Sequence, residues 1–351
     1  MRINNIPVRT WNRLKVNDVE VEVSLPKSLL EYTEVVPKEV DSIVGKGIGH
    51  LADISIRTGL GKEFDDLISD SNHKVSGYVV SENTDVKKPL YQTFEIGDEK
   101  KALNILDYTV EENGNLTVIQ TIKEKNDMPA TYLMQNKLRV AKNATLTIVQ
   151  VQMLSDKKTF LNDFGAHLCE GGSLNLIQIV LGGKESYYGL FTELEGPESK
   201  VEASVAYTMS GSSKLDMNYV ANHHGKNTES NFNVSGVLKD RAYKLFKGTL
   251  DFHKGCSGAN GAELENVLLI DDTITNKTVP LILCDEEDVS GAHGATIGKL
   301  REDLLLYMKS RGIDEKEAYR IMERAQIDAV ANKIDDKKTR EEITDYLDKI
   351  L

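Results

Sequence analysis

The chain has 351 residues, enough for a large core and two or three substructures. A formal net charge of -12 argues against nucleic acid or an anionic membrane as the main partner, because both select a basic surface. The opening Met1-Arg2-Ile3-Asn4-Asn5 has no apolar signal core and no apolar run is long enough for a membrane span, so a cytoplasmic location is expected. Cys169, Cys256 and Cys284 form no Cys-x-x-Cys pair, which points to a reducing compartment without a disulfide framework or an all-thiolate metal site.

Residues 1–75 read as a mixed helix and coil region. Gly45, Gly47 and Gly49 alternate within Ile43 to His50 and resemble part of a phosphate loop. No Gly-Lys-Ser/Thr follows, so a flexible linker is the expectation there.

From residue 76 to 298 the pattern changes to short alternating apolar and polar runs, as in strands with one buried face. Three runs look alike: Asn115 to Gln120, Thr145 to Gln150, and Ser173 to Gln178. Their leucines, Leu116, Leu146 and Leu174, are 30 and 28 residues apart, and a fourth run from Val201 follows at 27. Strands at a near-constant period, without intervening helices, predict a parallel β-solenoid whose coils supply each other's core. Gly171-Gly172, Gly182-Gly183, Gly211 and Gly225 fall where a coil must turn. No six-residue aliphatic repeat supports a left-handed helix, and an ordinary β-sandwich would explain the strands but not their spacing.

Residues 299–351 turn helical. Lys299 to Arg311 makes one segment, with Gly312 as its stop. Asp314 to Glu317 has capping-box spacing, and Ala318, Ile321, Met322, Ala325 and Ala329 then share a helical face. A last segment carries Ile343, Tyr346, Leu347 and Ile350 on one side. Spacing leaves open whether this tail packs back as an end cap or offers its apolar face to a partner.

If one coil is about 28 residues, positions that far apart stack about 4.8 Å from each other. This pairs Cys256 with Cys284 and Glu265 with His293. The carboxylate–imidazole column suits divalent iron or zinc, or a simple hydrogen bond, and a complete metal site would need ligands from a second chain. Cys284 ends an apolar run and reads as a buried hydrophobe, whereas Cys256 lies in a Gly/Ser-rich stretch and reads as more exposed. His223 and His224 would face opposite ways on a strand, so they read as a turn element, while His167 and His253 read as isolated. No Gly-x-Ser-x-Gly is present. Acidic pairs such as Asp271-Asp272 and Glu286-Glu287 lack accompanying aromatics, and one Trp in the chain disfavours polysaccharide binding.

Further along, Gly236-Val237-Leu238-Lys239-Asp240-Arg241, Phe246-Lys247-Gly248, Val267-Leu268-Leu269-Ile270, His293-Gly294-Ala295-Thr296-Ile297-Gly298 and Tyr307 to Ile313 occur in order. This ordered set resembles the SufB/SufD family of iron–sulfur cluster assembly proteins, and the His-Gly-Ala-Thr-x-Gly stretch looks like SufD. The resemblance implies a right-handed parallel β-helix core with a helical C-terminal domain. It also implies a non-catalytic scaffold subunit that pairs with a SufB-like subunit through the β-helix and docks the SufC-type ABC ATPase through its C-terminal helices. No cofactor would be tightly bound in isolation, with a transient iron–sulfur cluster held in the complex and a homodimer possible without the partner. The family's cluster-site histidine matches His293, and the cysteine that SufB supplies aligns with Glu265. Ser290-Gly291-Ala292 departs from the Lys-Cys-Ser of many SufD sequences, and Thr278-Val279-Pro280 looks more like SufB. The alternative classes are a β-solenoid enzyme acting on carbohydrate or acyl substrates, and a structural homodimer.

Overall fold

The computed structural model describes residues 1–10, 12–45 and 55–351. Most of the glycine-alternating stretch expected to be a linker therefore lies outside the described residues. The N-terminal part holds β1 (Arg2–Ile3), β2 (Val19–Glu20), β3 (Tyr32–Val35), β4 (Val40–Gly45) and α1 (Lys62–Ser69). The body follows as β5 (Val75–Val80), β6 (Leu90–Ile96), β7 (Lys101–Val110), β8 (Asn115–Glu124), β9 (Ala130–Val140), β10 (Thr145–Leu154), β11 (Lys158–Leu168) and β12 (Ser173–Gly182). It continues as β13 (Glu185–Leu194), β14 (Lys200–Met209), β15 (Lys214–His223), β16 (Glu229–Leu238), β17 (Tyr243–Phe252), β18 (Asn260–Leu269), β19 (Thr275–Cys284) and β20 (Ser290–Gly298). Three helices end the chain: α2 (Glu302–Ser310), α3 (Glu315–Ala331) and α4 (Lys337–Ile350).

Even-numbered strands β6 to β20 form one parallel sheet and odd-numbered strands β5 to β19 the other, so the chain is a parallel β-solenoid of about eight turns. The leucine period is the coil itself: Leu116 pairs with Leu146, Leu146 with Leu174, and Leu174 with Val201. Inward positions form one continuous core from Val80 to Val267. Strand burial is nearly unbroken because the outer faces are covered too. α3 and α4 lay Ile327, Val330, Ile343 and Leu347 on Val149, Val151, Ile177 and Ile179. On the opposite sheet, Ile3, Leu60 and Phe64 cover Leu103, Leu133 and Leu161.

The tail therefore packs along the flank and does not cap the end. Its capping signal is real, since Asp314 accepts from the Glu317 amide at 2.9 Å, but α3 is rotated from the expected face. Tyr319, Glu323, Ile327 and Val330 are buried while Ile321 is exposed, because Glu323 is drawn in by Thr208 and Lys239.

One corner of the solenoid is a ladder of left-handed residues, Asn83, Asn113, Asn143, Gly171, Glu198, Asn227 and Gly258. Each donates its amide to a backbone carbonyl of the next coil, as Asn113 does to Lys142 and Asn143 to Glu170. Asparagine tolerates this conformation better than other side chains. At Gly258 a Cβ would lie 2.2 Å from the Asn227 carboxamide, so the ladder also needs glycine where the coils crowd.

The N-terminal segment is held on the outer face by Asp163, which is fully buried. Its carboxylate accepts from the Leu60 amide at 2.7 Å, from Gln135 Nε2 at 3.2 Å and from the Thr58 hydroxyl. Burial, and next the charge of Asp65, push the Asp163 carboxyl up to about 7. The folded protein then holds a proton that the unfolded chain has released, so stability should fall as pH rises from about 4 to about 7. Asp163→Asn should remove up to about 1.4 kcal/mol per pH unit of that slope. Urea unfolding across this window checks it, and parallel curves for both proteins would contradict the assignment.

Candidate functional site at the open end of the solenoid

The two ends of the solenoid differ. At the first end β3 and β4 pair antiparallel with β6 and β5 and are the last strands of their sheets. At the other end β19 and β20 are the last strands, each with one edge unpaired among the described residues. β20 is almost wholly exposed, and the inward-facing Ile282 and Ile297 are open to solvent. A terminal coil in a solenoid normally carries a polar outer face or a cap.

Charged groups gather inside this end. Alternation along β18 turns Glu263, Glu265 and Val267 inward together, and Val267 belongs to the core. Lys244 on β17 is inward with Phe246 and Leu250, its side chain 0% exposed. It forms an ion pair with Glu265 and donates to the Thr278 hydroxyl at 3.2 Å and the Lys277 carbonyl at 3.3 Å. Thr278 in turn donates to Glu265 Oε2 at 2.6 Å. Burial pushes the Lys244 amine below its usual range, opposed by Glu265. Burial, then repulsion from Glu265, pushes the Glu263 carboxyl up to about 8. A buried charge network is tolerated only when its lone pairs and protons are matched, as they are around Glu265.

Two glycines make room. A Cβ at Gly248 would lie 2.1 Å from Glu263 Oε2, and one at Gly236 would lie 2.2 Å from the Tyr207 ring. Tyr207 is fully buried with no hydrogen-bond partner for its hydroxyl among the described residues, and Glu265 contributes to the upward shift that burial gives it.

His293 lies on β20, exposed, at the mouth of this chamber. The register corrects its expected partner: His293 is opposite Glu263, and Glu265 is opposite Ala295. The last coil is 30 residues long at this point, so a 28-residue spacing misses by two positions, which leaves the face unchanged but shifts the pair. Glu263 and His293 face the same way on adjacent strands. Among the described residues no group of three or more His, Cys, Asp or Glu is placed to hold a metal ion. The chain thus offers Glu263 and His293 as a pair, with Glu265 engaged by Lys244.

The cysteines reverse their expected exposure. Cys256 is fully buried, with its thiol pushed up to about 11 by burial, because the Gly/Ser-rich stretch folds as a tight inner corner. Cys284 is exposed, because the apolar run before it reaches the uncapped end, and it pairs in register with Phe252 rather than Cys256.

The histidines of the adjacent pair do face opposite ways. His223 is buried between Thr228 Oγ1 at 2.7 Å and Ser230 Oγ at 2.8 Å, and burial lowers it to about 3. His224 points outward to Glu193 at 3.0 Å. His253, read as isolated, stacks on His224 with ring centroids 4.3 Å apart. His167 is half-buried, and burial lowers its pKa.

Sequence reading missed Lys244, Glu263, Thr278 and Tyr207. Only the alternation of Glu263, Glu265 and Val267 was a usable signal; the others meet through coil register. Lys244→Met should leave Glu265 buried without its cation and cost about 3–5 kcal/mol in urea unfolding, whereas Lys244→Met with Glu265→Leu should recover most of it. A mild single variant would show that the pair is solvated.

The comparisons with known proteins agree with this architecture. Residues 100–326 match the domain described as SUF system FeS cluster assembly, SufBD core domain. The chain is 23% identical over 273 residues to the iron–sulfur cluster assembly protein SufD of Bacillus subtilis, covering 77% of this chain and 62% of that protein. It is 24% identical over 221 residues to a SufBD family protein of Mycobacterium leprae, covering 61% of this chain and 56% of the relative. It is also 24% identical over 277 residues to the chloroplastic protein ABCI7 of Arabidopsis thaliana, covering 76% and 57%. The chain thus spans less than two thirds of these relatives' own length. The matched domain covers more than half of the chain, which belongs to the SufB/SufD family of iron–sulfur cluster assembly proteins and is most like SufD.

Proposed function

We propose that the chain is a non-catalytic scaffold subunit in iron–sulfur cluster assembly, pairing through its last coils with a cysteine-bearing SufB-like subunit. The observation that carries this reading is the uncapped end, where β19 and β20 leave their edges unpaired and Ile282 and Ile297 exposed beside His293 and Glu263. An apolar, unpaired sheet end is a template for another chain. The imidazole and carboxylate supply nitrogen and oxygen donors for iron, and among the described residues no cysteine completes a metal-holding group with them: Cys256 is buried in the core, Cys284 ends β19, and half-buried Cys169 follows β11, several coils away. A thiolate ligand would come from the partner. Glu265 stands where the resemblance aligns SufB's cysteine, and here it neutralises Lys244 instead. The cluster is cargo in this scheme, held between chains and passed on.

The ATPase contact is assigned to α2 and the start of α3. α3 and α4 bury their apolar faces on the flank, but Leu306 and Tyr307 on α2 are 71% and 58% exposed, and Ile321 on α3 is exposed as well. These are apolar side chains that the solenoid leaves uncovered. The placement suits a SufC-type ATPase whose movement would be transmitted to the nearby open end. Among the described residues no helix is long and apolar enough to cross a membrane.

Two experiments check this. In the complex co-expressed with a SufB-like subunit and the ATPase, anaerobic reconstitution should give several-fold lower cluster content for His293→Ala and for Glu263→Gln. Unaltered iron and sulfide content in both variants would remove them from the site. Leu306→Asp with Tyr307→Ala, which touches no buried position, should abolish co-purification of the ATPase; retained binding would refute the α2 assignment.

A further inference from the structure

A cavity of about 720 Å³ lies on the other side of β17 from Lys244, between the N-terminal segment and the outer face of β15 and β17. Its wall on one side is Arg2, Arg9, Lys15 and Asp18 to Glu20, and on the other Lys214, Asp216, Tyr243 and Leu245. Cations and carboxylates both line it, but the carboxylates are already matched. Asp18 lies 3.8 Å from Arg9, Glu20 lies 3.5 Å from Arg2, and Asp216 lies 2.9 Å from the buried Lys247 amine. Asp216 also accepts from Asn4 Nδ2 at 2.8 Å.

Lys15 and Lys214 are left over. Among the described residues neither has a carboxylate within ion-pair distance, and the same holds for Lys277 at the cavity's edge. Lys214 is held over the Tyr187 ring at 5.0 Å and the Tyr243 ring at 5.9 Å, and Lys277 over the Tyr243 ring at 5.5 Å. Lys277 also donates to the Leu14 carbonyl at 3.1 Å, which fixes the N-terminal segment across the cavity. Aromatic faces therefore hold two ammonium groups in place without neutralising them. In a chain of net charge -12, three uncompensated lysines around one concavity mark a local positive potential.

We propose that this cavity binds an organic phosphate of about nucleotide size. The lysines would take the phosphate as point charges, in the manner of other lysine phosphate sites. The volume falls in the range of small-molecule pockets and is too large for inorganic phosphate alone, so an organic body fills the remainder. Leu245 and Val19 line the cavity beside the cations, and Leu245 is backed by Val16 and Val279, so an organic body would meet apolar surface there. Because the two walls come from segments distant in sequence, a bound ligand would also tie residues 2–20 to the solenoid.

The test is calorimetric titration of the full chain with ADP, adenosine and inorganic phosphate, alongside hydrogen exchange. ADP should bind, more weakly as salt is added, and should slow exchange across residues 2–20, while adenosine should not bind. Lys214→Glu and, separately, Lys15→Glu should each weaken ADP by about tenfold or more. Both sites are outside the core, and an unchanged melting curve verifies folding. Absence of ADP binding, equal affinity for inorganic phosphate, or full affinity in both variants would overturn the proposal.

Discussion

Every feature of this protein rests on one constraint: successive coils stack in parallel and in register, so a side chain inherits its surroundings from the same position one coil away. The leucine column Leu116, Leu146, Leu174 and Val201 is the plainest case. The constraint also works by exclusion. Tyr207 takes space over Gly236 in the next coil, and Glu263 takes space across the lumen from Gly248, so a large inward residue dictates a glycine where it lands. Two glycines within the ordered motifs shared with the SufB/SufD family acquire a steric reason in this way, and the Lys247 between them a charge reason in Asp216.

Interior polarity then changes along the axis. In the earlier coils a column of neutral amides runs through the lumen: Gln120, Gln150 and Gln178 bond to one another and to Asn136, Asn162 and Tyr219. The same column continues as Val205 and Val234, which interrupt the ladder, and only then reaches Glu265. Amides can be buried deep because they satisfy each other without net charge. Full charges need matched surroundings: the buried Lys158 amine at the start of β11 is held by Glu124 and the Asn126 and Met128 carbonyls, and the Lys244, Glu263 and Glu265 group lies where the lumen nears its open end.

The period and strand alternation made the solenoid legible in sequence, because Leu116, Leu146 and Leu174 repeat in nearly identical surroundings. The helical tail was legible as helix, from the Asp314 cap and the apolar spacing, but its docking face was not, since Glu323 turns inward for partners 84 and 115 residues away. The chamber was half legible. His293 stood out by its small neighbours, yet its partner depended on the length of a single coil, and coil lengths vary by a few residues. Lys244 was invisible, because Tyr243-Lys244-Leu245-Phe246-Lys247 gives no sign of which lysine faces in. The cysteines failed for a related reason: local hydropathy cannot tell an inner corner from the last, uncovered coil.

The two ends of the solenoid differ in the direction of their last strands. β3 and β4 run antiparallel to the coils they terminate, whereas β19 and β20 keep the parallel sense of the stack. Copies joined head to tail could therefore not continue the parallel coil, because strand sense would reverse at every junction. The reversed N-terminal strands thus make the two ends non-interchangeable, independently of what the meeting surfaces bind.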